Sequence, residues 1–190
     1  MQRRRRPHRR KKRRSSATYK TNHPISSLYL IPVYFIIAIV PLIVFGKVIE
    51  LTELEALNWI GGSIHIDFFN YYKAIWFIVG VYTSGLLLLI LYWMDKLDLV
   101  RTRYYIPLAV YIVFTILSAI FAEDSTVAIR GYISMFQGLF VLIGYALFVI
   151  TIFNLVKAKN HVKWFIYSLV FLGSIIGFIG ITQYFGHDIF

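Results

Sequence analysis

The chain has 190 residues, 58% of them hydrophobic and 18% aromatic, with a mean hydropathy of +0.67. A soluble domain is about 45–50% apolar; here the excess is gathered into nearly uncharged blocks of roughly 18–24 residues, long enough to cross about 30 Å of hydrocarbon as helices. The absence of cysteine excludes disulfides, Cys-ligated zinc, iron–sulfur clusters and thiol nucleophiles, and the net charge of +11 belongs to one end, since eleven of the 20 Lys and Arg precede Leu28.

The expected architecture is all-α: a polytopic transmembrane helix bundle of about five spans with a cytoplasmic N-terminus. Residues 1–27 contain RRRRPHRRKKRRSS. Like charges repel there and nothing apolar is available to bury, so the segment reads as a disordered tail. Nucleic-acid binding finds no support from a fold or from interleaved aromatics, so no nucleic-acid partner is expected. A twin-arginine signal would need a short apolar region and an A-x-A site directly after the arginines. The remaining reading is a polybasic segment beside a membrane, resting on anionic lipid at about 1 kcal/mol per base.

The transmembrane domain is expected over 28–190. The first span, 28–45, has Pro32 and Pro41 near its ends, where a missing N–H costs least. Its apolar core is longer than that of a signal peptide, so it reads as an uncleaved anchor. Lys47 to Lys73 is expected as a loop, with a short interfacial helix over Leu51–Trp59 started by Thr52 and broken at Gly61-Gly62. Trp59, Phe68, Phe69, Tyr71 and Tyr72 suit an aromatic belt. The second span, 74–94, carries Gly80 and Ser84, a small-xxx-small pair that admits a close neighbour. A charged turn leads to the third span, 104–122, with Pro107 in its first turn. Residues 123–134 form a second outer loop. The fourth span is 135–156, Lys157–Lys163 a basic turn, and the fifth span 164–184.

Charge asymmetry orients these spans. The tail, Lys96, Arg101, Arg103, Lys157, Lys159 and Lys163 fall on one side, and only Lys47, Lys73 and Arg130 on the other. The positive-inside rule makes the first side cytoplasmic and places Phe190 outside a plasma membrane. No Asp, Glu, Lys, Arg or His lies in the core of a predicted span. That argues against an ion-coupled transporter or pump, which needs such groups within the membrane.

The polar groups that could bind or react are His65, Asp67, Glu123, Asp124, Arg130, Gln137, Gln183, His187 and Asp188. His65-x-Asp67 and His187-Asp188 could ligate a metal, but two-residue patterns suit solvated loops better, and no metal site or cofactor is expected. Asp124, beside Ser and Thr, suits a helix cap as well as a base or cation ligand. Arg130 carries the planar fork of donors that suits phosphate, against which stands simple snorkelling to lipid headgroups. Gly173, Gly177 and Gly180 line one face of the fifth span and read as a close-packing surface. Gln183 borders that face and could meet a sugar hydroxyl or a neighbouring helix.

The segment LSAIFAEDSTVAIRGYISMFQGLFVLIGY, residues 117–145, resembles an outer-loop region of the bacterial O-antigen ligase and polymerase family. The resemblance rests on Ser118, Asp124, Gly131 and Gly138, with the second glycine seven residues after the first. GITQYFGHDIF, residues 180–190, is similar to the end of that family's next span through Gly180, Gln183, Phe185, Gly186, Asp188 and Phe190; DFFNYYKA, residues 67–74, is a looser match. Family members commonly place an Arg and a Glu where this chain has Met135 and Gln137. The departure removes a charge pair from the outer face and leaves Arg130 as the base of that loop.

The resemblance implies transfer or polymerisation of glycan from an undecaprenyl-diphosphate carrier on the outer face of the membrane. Arg130, Gln183 and Asp188 are its candidate substrate-binding residues. The family's catalytic Arg and His residues lie in later spans, so no catalytic residue is assigned and the chain reads as an amino-terminal portion, cut off at its C-terminus. The alternative readings are a non-enzymatic membrane scaffold or assembly subunit, and half of a dimeric transporter.

Overall fold

The structure, a computed structural model, describes residues 27–51 and 63–186. The basic tail, nearly all of the expected Leu51–Trp59 helix, and His187 and Asp188 lie outside the described residues. The described chain is mostly helical. A short 3-10 turn, Ser27–Leu30, leads into α1 (Ile31–Ala38), and a second, Val40–Leu42, follows it. Strands β1 (Lys47–Glu50) and β2 (Ile64–Asp67) come next, then α2 (Tyr71–Trp93), α3 (Tyr105–Ile120), α4 (Ser125–Arg130), α5 (Leu139–Leu155) and α6 (Lys159–Tyr184).

Two helices among the described residues are long and apolar enough to cross a membrane, α2 and α6. At 1.5 Å per residue they measure about 35 and 39 Å. The first expected span is a broken element, because Pro32 starts α1 and Pro41 turns the chain out of it into 3-10 geometry. The third and fourth are shorter than expected, at 16 and 17 residues, or about 24–26 Å. The fifth begins five residues early, so Lys159 and Lys163 belong to the helix and only a three-residue joint, 156–158, separates α5 from α6.

Two elements stand where loops were expected. β1 and β2 pair antiparallel, setting Lys47 opposite Asp67 and Ile49 opposite His65. The ladder extends through Phe45 N–H to Phe68 O (3.1 Å) and Leu51 N–H to Ser63 O (2.9 Å). The 123–134 loop contains α4, started by Asp124, whose Oδ1 accepts from Thr126 N–H (2.8 Å) and Val127 N–H (3.2 Å). Those donors would otherwise be orphans of the first turn.

Caps also delimit α2. Asp67 Oδ1 accepts from Asn70 and Tyr71 N–H at 2.7 and 2.8 Å. At the far end Asp95 takes φ +52°. Lys96 N–H reaches Leu91 O (3.0 Å) and Asp95 N–H reaches Tyr92 O (3.1 Å), the paired bonds of a Schellman stop.

α2 is the central helix, packed against α1 and α5, while α3 leans on α5 and α4 bridges α3 and α5. Gly80 and Ser84 are buried as the small-residue spacing suggests; a Cβ on Gly80 would come within 2.7 Å of Ile36 Cγ1. On the same principle Gly144 of α5 lies under Phe77. The apolar core gathers at the tail end, where Leu30, Val33, Ile37, Leu88, Leu91, Leu97 and Leu155 meet. The hairpin, α4 and the 131–138 loop occupy the opposite end.

α6 packs on α1 through its first turns. His161 is buried there, its Nδ1 3.3 Å from Leu155 O, while Tyr34 OH donates to His161 O (3.4 Å). Farther along, nothing lies within 4 Å of where a Cβ would stand on Gly173, Gly177 or Gly180. Within the described residues the glycine face packs on no other helix.

Candidate functional site

At the hairpin end, α3, α4 and the start of α5 enclose a groove of about 800 Å³. α3 contributes Tyr111, Thr115 and Ser118, a spacing of four and three that puts three hydroxyl side chains on one helical face. Phe114, Ala119 and Ala122 supply apolar wall beside them, and Leu139 and Leu142 face them from α5. α4 adds Asp124, Val127 and Ala128, and the loop beyond it adds Gly131, Tyr132 and Gln137.

The hydroxyls of α3 serve different ends. Thr115 Oγ1 donates to Tyr111 O (2.8 Å), and Tyr111 OH donates across to Leu142 O (3.2 Å), tying α3 to α5. Among the described residues, Ser118 Oγ and the Gln137 amide have no hydrogen-bond partner. Asp124 is occupied in capping α4, so its first role is structural. No Lys, Arg or His lines the groove. The wall therefore suits an uncharged, hydroxyl-bearing group with an apolar neighbour.

The 131–138 loop closes this site through its two glycines. Gly131 has φ +90°, and a Cβ there would fall 2.3 Å from Gln137 N. A Cβ on Gly138 would fall 2.0 Å from Ile129 O and 2.5 Å from Gly131 N. The two backbones touch, and only residues without a side chain allow it. Between them Ser134 and Phe136 take φ values of +76° and +51°. The loop is tied to the start of α2, where Asn70 Nδ2 donates to Ser134 O and the Tyr71 and Phe136 rings meet edge to face at 5.4 Å.

Of the expected binding residues, Arg130 ends α4, exposed and outside the groove wall. Its charge there complements the negative end of the helix dipole. Gln183 lies in the last turn of α6, exposed and also outside the wall, and Asp188 is beyond the described residues. Glu123 is exposed just before the cap, and His65 is half-buried on β2 while Asp67 caps α2. The described residues contain no group of three His, Cys, Asp or Glu placed to hold a metal ion.

The expected residues did not include Tyr111, Thr115 or Asn154. The spacing of the first two with Ser118 was readable as a polar stripe on an apolar helix. Asn154 is fully buried in the last turn of α5. Its Oδ1 accepts from Val100 N–H (2.8 Å), and its Nδ2 donates to Tyr105 OH (2.8 Å) and Ile150 O (2.7 Å), fixing the α2–α3 turn at the tail end. Beside it Lys157 Nζ donates to Asp98 O (2.7 Å). Burial pushes the pKa of that ammonium below its ordinary value, and the Asp98 charge opposes the shift.

No family model, curated protein or solved structure matches this chain.

Proposed function

We propose that this chain is a multi-pass membrane protein of about five spans, cytoplasmic at its basic tail, whose opposite end binds a lipid-linked glycan on the outer face of a plasma membrane. The observation that carries the reading is convergence. Ser118, Asp124 and Gly131, three of the residues behind the resemblance to O-antigen ligases and polymerases, line one groove, and Gly138 closes it. They are separated by up to 20 positions in sequence, and the fold gives all four one neighbourhood. The hydroxyl and amide groups of the wall suit a sugar, and the apolar strip beside them suits the lipid that carries it.

The membrane placement draws on α3 and α6. α3 has no buried residue and exposes Val110, Val113, Phe114 and Leu117; α6 exposes Ile166, Val170, Phe171, Ile176 and Phe178. Helices apolar on all sides are stable against lipid rather than water. α3 and α5 match a thinner hydrocarbon slab, with flanking tyrosines and bases reaching to the interface. In this reading the chain contributes binding of an undecaprenyl-diphosphate-linked glycan to a transfer or polymerisation reaction. The second reading, a scaffold or assembly subunit, draws on the uncovered glycine face of α6.

The test is binding of a polyprenyl-diphosphate-linked monosaccharide to the full chain in lipid nanodiscs. Ser118→Phe fills the groove from an exposed position. It is expected to weaken binding by at least about tenfold with helicity unchanged. Equal binding by the variant would remove the groove from the function and leave the scaffold reading.

A further inference from the structure

A second pocket, of about 390 Å³, lies on the other side of the 131–138 loop. Much of its wall is apolar, with Ile36, Val40, Phe77 and Val141 drawn from α1, α2, α5 and the turn after α1. Its polar groups are Asn70, Lys73, Gln137 and the Tyr145 hydroxyl. Asn70 is committed to Ser134. Gln137 lines both this pocket and the groove.

Lys73 is the unusual member. It sits in the first turn of α2, half-buried, where the helix dipole already presents positive charge and an ammonium is poorly placed. Asp67 offers one negative charge nearby, but its Oδ1 is engaged by Asn70 and Tyr71 N–H. The Lys73 ammonium lies 5.6 Å from the centre of the Phe69 ring. Among the described residues it has no hydrogen-bond acceptor and no acidic partner. A cation on the wall of a largely apolar pocket without an anion is suited to an amphiphile with an anionic head.

We infer that this pocket is a separate site for a phosphate-headed lipid, with Lys73 on the phosphate and the chain against Ile36, Phe77 and Val141. The inference rests on the reading that this end meets lipid-borne substrate. It supplies the charge recognition that the neighbouring groove lacks, and it assigns to Lys73 the role that sequence alone suggested for Arg130. A phosphate at Lys73 and a sugar in the groove would lie on the two sides of Gln137.

The experiment uses the full chain in nanodiscs of neutral lipid, with farnesyl phosphate, farnesol and inorganic phosphate as probes. The wild type is expected to bind farnesyl phosphate about tenfold more tightly than farnesol. Lys73→Gln is expected to erase that preference, Lys73→Arg to keep it, and Arg130→Gln to leave it unchanged. Inorganic phosphate is expected not to compete at the concentration that saturates farnesyl phosphate. A preference that survives Lys73→Gln overturns the site, and so does inorganic phosphate competing as well as the lipid. The two proposals fail separately. If the glycan-bearing lipid ignores Ser118→Phe while the Lys73-dependent preference persists, the groove falls and the pocket stands. The reverse pattern removes the pocket alone.

Discussion

Two glycines of the same residue type have opposite tolerance for a side chain here. Gly138 has Ile129 O where its Cβ would go, at 2.0 Å, while Gly177 has nothing within 4 Å. Backbone cannot yield as a side-chain tip can, so Gly138→Ala must open the 131–138 loop. Overpacking of this kind costs about 1–3 kcal/mol or more, and we expect a clear fall in thermal stability of the purified protein. Gly177→Ala is expected to match the wild type or exceed it slightly, because Ala is the better helix former by about 1 kcal/mol. Equal loss in both variants would show that the Gly131–Gly138 contact does not hold the loop. Asp124 belongs to the same scale. Its residue type and its Ser-Thr neighbours suit a cap, and a cap is what its Oδ1 makes.

At the scale of elements, the ends of the bundle are held by different means. The tail end has an apolar cluster and one buried amide, Asn154, that bonds both the α2–α3 turn and the start of α3. Asn154→Leu keeps the branched shape but strands Val100 N–H and the Tyr105 hydroxyl. Losing a buried partner costs about 1–3 kcal/mol; we expect destabilisation of about 2 kcal/mol in a denaturant titration, with faster hydrogen exchange confined to residues near Val100. Unchanged exchange there would mean that Leu97 alone anchors the turn. The hairpin end has no comparable apolar cluster among the described residues. It relies on caps, on edge-to-face rings such as Phe45–Tyr72 at 5.2 Å, and on the glycine contact. The groove and the pocket that Lys73 lines lie at this end, and the packed apolar core at the other, where a surface pocket of about 690 Å³ sits over the α2–α3 turn.

For the whole molecule, the proposed orientation makes a prediction that the composition renders simple to check. The chain has no cysteine, so single substitutions can be labelled without background. Ser134→Cys, in the loop between the two pockets, is expected to react with a membrane-impermeant maleimide on intact cells. Lys96→Cys, at the tail end, is expected to react only after permeabilisation. Labelling of both from outside, or the reverse pattern, would sink the topology and with it both proposed sites. Seventeen of the 20 Lys and Arg fall on the side expected to be cytoplasmic, at about 1 kcal/mol per base near an anionic surface, so the orientation is strongly biased.

What the sequence determined by itself is the helical class, the order of the apolar segments and their approximate positions, because long runs of uncharged apolar residues leave no other regular structure open to them. Gly80 with Ser84 and the capping chemistry of Asp124 were also legible, since small-residue spacing and an oxygen two residues before a free N–H act over a single turn. Tertiary structure decided the rest. Strands of four residues, Lys47–Glu50 and Ile64–Asp67, are too short to declare a period, and only their pairing makes them strands. A glycine stripe states that a close neighbour would be tolerated, not that one is present, and α6 meets α1 before the stripe begins. The neighbourhood of Ser118, Asp124, Gly131 and Gly138 exists only once α3, α4 and α5 have closed on each other, and the pocket that Lys73 lines only once α1, α2 and α5 have. Local spacing records which face of a helix is apolar or polar; which faces meet is settled by packing among segments far apart in the chain.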